Sequence, residues 1–120
     1  MSDGPILADD DPARWMAVCP RDRMSERAIL CVTVAGIDLL LIRDGDRFHA
    51  CERACPHEQA DLGLGRVADG RLHCPRHLAW FSLGDGAISP GWPSRPLRLY
   101  PIRADQGQIW IDTRALPPRR

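Results

Sequence analysis

The sequence contains no lysine: all 16 of its basic residues are arginine, and 16 acidic residues cancel them. A chain with no net charge lacks the field that grips nucleic acid irrespective of sequence, so that class of partner is excluded. Long hydrophobic runs are missing too. The longest, Ile37–Ile42, is broken by Asp38 and falls far short of the ~20 residues a membrane-crossing helix needs. The N-terminus carries Asp3, Asp9, Asp10 and Asp11, the wrong charge for a secretory or transit peptide. We therefore expect a soluble, cytoplasmic protein with no membrane partner. Helical periodicity is lacking, and eleven prolines and ten glycines argue against long helices. Internal repeats, a glycine-rich dinucleotide fingerprint and a nucleophile–base motif are absent as well. The chain is not expected to turn over an organic substrate on its own.

What remains is a succession of short strands. Gly36, Asp44-Gly45, Asp69-Gly70, Gly84-Asp85-Gly86 and Gln106-Gly107 are turn signals that separate runs of strand character. The pattern predicts strands at Trp15–Cys19, Ile29–Ala35, Ile37–Ile42, Arg47–Cys51, Arg71–Cys74, Trp80–Leu83, Leu97–Ile102 and Gln108–Asp112. Ile109 and Ile111 flank Trp110, and Leu97, Leu99 and Pro101 alternate with Arg98 and Tyr100. Many short strands imply an all-β sandwich or barrel, and 120 residues suffice for one domain. Residues 1–13 and 114–120 read as polar tails around a domain at 14–113.

Cysteine supplies the chemistry. Five cysteines, an odd number, suit a secreted disulfide framework poorly. In a reducing compartment, cysteines interleaved with histidines point to metal. Two segments match: Cys55-Pro56-His57 and, with sixteen residues between His57 and its start, Cys74-Pro75-Arg76-His77. Each offers one thiolate and one imidazole, so together they supply two sulfur and two nitrogen ligands. Structural zinc is the competing reading of such a set, although the usual zinc spacings pair cysteines in one segment and histidines in another. Iron and acid-labile sulfide analysis separates the two.

On these residues the chain resembles the Rieske family, whose pattern is Cys-x-His, a gap of similar length, then Cys-x-x-His. Trp80-Phe81 and Pro90-Gly91-Trp92-Pro93 extend the likeness, the latter as a loop closing over the cluster. The resemblance implies an antiparallel β-sandwich with a small cluster-binding subdomain of two loops, at about residues 53–93. It implies one [2Fe–2S] cluster per chain, with Cys55 and Cys74 on the inner iron and His57 and His77 on the outer. Imidazoles in place of two thiolates remove negative charge and raise the potential above that of an all-cysteine cluster.

Departures from the high-potential members narrow the resemblance. Those members carry a further cysteine in each loop, forming a disulfide; here the two positions hold Ala60 and Arg76. They also place hydroxyls where this chain has Ala79 and Phe81. Missing donors to sulfur predict a potential near the low end of the roughly −150 to +300 mV range. With small size and no anchor, the chain resembles the ferredoxins of bacterial ring-hydroxylating dioxygenase systems. The implied partners are a flavin-dependent NADH:ferredoxin reductase and a terminal Rieske non-haem iron oxygenase, served by a monomeric carrier. The alternative is the Rieske-like small subunit of an NADH-dependent nitrite reductase.

Other residues carry blander expectations. Cys19, Cys31 and Cys51 read as small buried strand residues, and His49 and His73 as ordinary strand residues. Trp15, Trp80 and Trp110 read as core, while Trp92 shields the cluster or anchors its loop. Charges near the loops, Glu52, Arg53, Glu58, Asp61, Arg76 and Asp85, are mixed and assign no polarity to a partner.

Overall fold

The computed structural model describes residues 14–57, 59–76 and 78–117. Its centre is β3 (Ile37–Asp44), which pairs antiparallel along its length with β2 (Ile29–Val34) and β4 (Arg47–Glu52). Leu39, Leu40, Leu41 and Ile42 have no exposed surface. Alternating side chains divide this apolar run between two faces. Leu39 and Leu41 enter one core with Val34, Tyr100, Ile109 and Ile111. Leu40 and Ile42 enter another with Leu62, Leu72, Phe81 and Leu83. An unbroken apolar run is thus a strand buried on both sides.

The first core lies against a sheet ordered β1-β10-β9, built from β1 (Trp15–Pro20), β9 (Ile102–Asp105) and β10 (Gln108–Asp112). The second lies against β5 (Arg66–Ala68), β6 (Arg71–His73) and β7 (Trp80–Ser82), the sheet that holds one metal loop. The central sheet is completed by β8 (Leu99–Tyr100). The all-β antiparallel architecture expected from the turn pattern is the one observed. Among the described residues no helix is long and apolar enough to cross a membrane.

Three expectations require correction. The predicted strand Leu97–Ile102 is two strands in different sheets, parted at Pro101. Proline has no N–H for the ladder, and its carbonyl accepts from the Asp112 N–H at 3.2 Å where the chain changes sheets. At that corner Tyr100 turns inward and Pro101 outward, against the alternation read from sequence. The strand Arg66–Ala68 was not anticipated, because three residues are too few to display a period. Finally, Trp15, Trp80 and Trp110 are half-buried, not core. Arginines cover two of them: Arg71 lies 3.8 Å from the Trp80 ring centroid and Arg103 lies 4.3 Å from that of Trp15. Trp110 donates its indole N–H to the Asp105 carbonyl at 3.1 Å.

Asp112 fastens the two ends of the domain. Its buried carboxylate accepts from Arg14 and, at 2.9 Å, from the Arg114 backbone N–H. The Arg14 guanidinium, followed by that N–H, holds the carboxyl below its usual range. A depressed folded-state pKa contributes stability that is complete above the unfolded value of about 4 and lost as pH falls through the folded one. Asp112→Asn is therefore expected to cost about 1–2 kcal/mol at neutral pH. Denaturant melts of variant and parent should converge as the medium is acidified below about pH 4.

Candidate metal centre

The two cysteine–proline segments form loops with one hydrogen-bond plan. Cys55 donates its N–H to the Ala60 carbonyl at 2.8 Å, and Cys74 donates its own to the Ala79 carbonyl at 3.0 Å. Each loop therefore begins at a cysteine and closes on an alanine five residues later. An antiparallel pair seats each base: the bridge Ala54–Asp61 under the first, His73–Trp80 of β6 and β7 under the second. Proline after each cysteine sets φ and withdraws one donor. In the first loop Gln59, at φ +63°, turns the chain back and donates to the Cys55 carbonyl at 2.7 Å. The shared cysteine–proline start and alanine end were visible in the sequence; the closing role of Ala60 and Ala79 was not anticipated.

Both thiols are buried, Cys55 completely and Cys74 nearly so, in the core that also contains Leu62, Leu72 and Phe81. His57 is half-buried with its Nδ1 shielded from solvent. Its ring meets Trp92 edge-on, centroids 5.2 Å apart at 78°. His77 and Glu58 lie outside the described residues. Among the described residues no group of three or more His, Cys, Asp or Glu side chains gathers as ligands of one ion.

Trp92 arrives by a fold-back after β7. Ser89 is buried and clamps β7 twice, donating its N–H to the Trp80 carbonyl at 2.8 Å and accepting the Trp80 N–H at 3.1 Å. Gly86 admits the returning chain: at φ +80° it accepts the Leu97 N–H, and a Cβ there would fall 2.3 Å from the Leu97 carbonyl oxygen. Between these clamps run Pro90-Gly91-Trp92-Pro93, over the first loop. Trp92 accordingly shields His57.

Glu52 holds the far end of this cover. Its carboxylate accepts from Arg95 at 2.7 and 2.8 Å and from the Arg98 N–H at 2.7 Å. Asp61 accepts from Arg53 at 3.0 Å through both oxygens, and from the Gly63 N–H at 2.8 Å. Arg53 holds the Asp61 carboxyl below its usual range. Glu52, Arg53 and Asp61, unsorted in sequence, are thus internal fasteners of the loops.

The remaining candidates lie elsewhere. Cys51 is fully buried in β4, and burial, aided by the Glu52 charge, pushes its thiol far up. Cys19 is buried as expected. Cys31 is exposed, contrary to expectation, because the inward positions of β2 are Leu30 and Val34. His49 and His73 are half-buried strand residues whose imidazoles burial tips toward the neutral form.

Two buried thiols from matched loops, with a half-buried histidine two residues after the first of them, are the residue types that a mixed sulfur–nitrogen iron site uses. Residues 14–101 match the model of the Rieske [2Fe–2S] domain, and the chain belongs to that family. Its cofactor is one [2Fe–2S] cluster for the domain. Among relatives, it is 30% identical to the alkene monooxygenase system ferredoxin component of Xanthobacter autotrophicus, over 92% of this chain and 90% of that one. It is 29% identical to the anthranilate 1,2-dioxygenase ferredoxin subunit of Burkholderia cepacia, over 83% and 93%. Its fold matches a chain in the complex of reduced oxygenase and oxidized ferredoxin of carbazole 1,9a-dioxygenase with a TM-score of 0.74 and 27% identity. That match covers 83% of this chain and 94% of the other.

Proposed function

We propose that this chain carries single electrons from a flavin-dependent NADH:ferredoxin reductase to a terminal Rieske non-haem iron oxygenase. The observation that carries the reading is the pair of matched loops, each presenting a buried thiol from the same core. Support also comes from relatives that are themselves ferredoxin components and that this chain spans at 90% or more of their length. Cys55 and Cys74 would hold one iron, and His57 and His77 the other. When bound, the cluster stores one electron.

The chain's own residues do the rest. The apolar core excludes water from the thiolate side, and Trp92 covers the first imidazole. In this role the domain carries the electron, and the oxygen chemistry belongs to the oxygenase.

The test is reconstitution. The purified protein, added to a flavin-dependent NADH reductase, should support reduction of cytochrome c and of the terminal oxygenase of its own organism. Its reduced form should show the electron-spin signal of a histidine-ligated [2Fe–2S] cluster. A signal of all-cysteine type would remove His57 and His77 from the site.

A further inference from the structure

The charges near the metal loops separate into two faces once the fold is known. Beside the first loop lies a groove of about 460 Å³ lined by Asp38, Glu52 and Asp61 as well as Arg53 and Arg98. Beside the second loop lies a smaller groove, about 240 Å³, whose lining includes Cys74 itself and contains no carboxylate among the described residues. Its edges are Leu64, Arg66, Pro75 and Leu78. Leu64 is 75% exposed and Leu78 89% exposed, two of the three large hydrophobic side chains lying most open to solvent among the described residues. Arg66 and the neighbouring Arg76 are exposed as well. The two loops therefore differ: one is capped by Trp92 and fringed by internally paired charge, the other is open, apolar and positive at its rim.

Exposed leucines that line one groove with Pro75 beside a cluster loop make an apolar patch of the kind that marks an interaction site. An arginine rim on a groove with no carboxylate among its described lining residues specifies what that partner carries, because opposed charges at the edge of an interface set orientation and encounter rate. Resting on the carrier function proposed above, we propose that the electron acceptor docks on the face formed by Leu64, Pro75 and Leu78. That acceptor presents an apolar centre edged by carboxylates that meet Arg66 and Arg76. One electron leaves the reduced cluster at this face and reduces one acceptor by one electron.

The test uses the intact, cluster-loaded protein reduced with dithionite. Its variants are Arg66→Glu with Arg76→Glu, Leu64→Ser with Leu78→Ser, and Arg47→Glu at the start of β4 as control. Cluster content, spin signal and midpoint potential are checked first. With the terminal oxygenase, the arginine and leucine pairs should each raise KM about fivefold or more while the limiting rate stays within about twofold. The control should not change. With small oxidants at low salt, the arginine pair should slow electron loss to ferricyanide, a trianion, about threefold. It should speed loss to the trication tris(phenanthroline)cobalt(III), and both effects should vanish at high salt.

An unchanged KM in the arginine and leucine variants, where the parent does reduce the oxygenase, would overturn the docking face and leave the carrier function standing. A parent that reduces ferricyanide but no oxygenase would defeat the carrier function. The face is then decided by the small ions, and equal rates for the parent and the arginine variant overturn it. A dimer in sedimentation equilibrium that Leu64→Ser with Leu78→Ser dissolves would give the face to a second copy and likewise overturn the proposal.

Discussion

Cys74→Ala protein is expected to purify colourless, and Cys51→Ala protein to keep the full colour of the parent. Burial does not separate these two thiols, because Cys51, Cys55 and Cys74 all lie in one apolar core. The backbone does. Cys55 and Cys74 each begin a loop that closes on an alanine carbonyl, whereas Cys51 is locked in β4 opposite Leu40 and Leu99. Losing one thiolate ligand should reduce iron and acid-labile sulfide to background. The thermal midpoint should fall with them, since metal affinity is linked to folding. Cys51→Ala should cost only about 1–2 kcal/mol for its small cavity. Metal and sulfide per chain, with the visible spectrum, check both variants. An iron-replete Cys74→Ala protein, or a folded but colourless Cys51→Ala protein, would move the site.

The loops were the most legible part of the sequence because their residues are chemically rare and close together. Cys55, His57, Cys74 and His77 stand out as types, and no knowledge of folding is needed to list them. The strands β2, β3 and β4 were legible for a related reason: Gly36 and Asp44-Gly45 mark two hairpins joining apolar runs. What escaped was set by distant contacts. Pro101 marks a corner only because β8 and β9 pair with different strands. The three strand tryptophans look like core residues until Arg71 and Arg103 are found over two of their rings. Glu52 and Arg95, forty-three positions apart, form a pair that no local pattern reveals. The charge asymmetry between the two loops is of the same kind, since it depends on which arginines find carboxylates within the fold.

Replacing Ala79 by serine and Phe81 by tyrosine together should raise the midpoint potential by on the order of 100 mV or more. Both positions are fully buried. Ala79 closes the second loop through its carbonyl, 3.0 Å from the Cys74 nitrogen, and Phe81 shares the core of Cys55 and Cys74. By the pattern of the high-potential members, a hydroxyl introduced at each place donates to a sulfur of the site. Reduction adds negative charge to those sulfurs, so a donor stabilises the reduced form more than the oxidised one. A hydrogen bond to a charged group contributes about 1.5–3 kcal/mol before screening. For one electron, about 1.4 kcal/mol corresponds to ~59 mV, so two bonds reach the stated shift. The same hydroxyls are unsatisfied when the cluster is absent, and a buried polar group without a partner is destabilising. The double variant should therefore lose more stability as apoprotein than as holoprotein, which a simple packing defect would not produce. Redox titration followed by the visible spectrum reads the shift, and paired melts read the linkage. A midpoint unmoved by both substitutions would mean that these two side chains do not tune the potential, and a parent midpoint above about +100 mV would mean that the expected low potential is wrong.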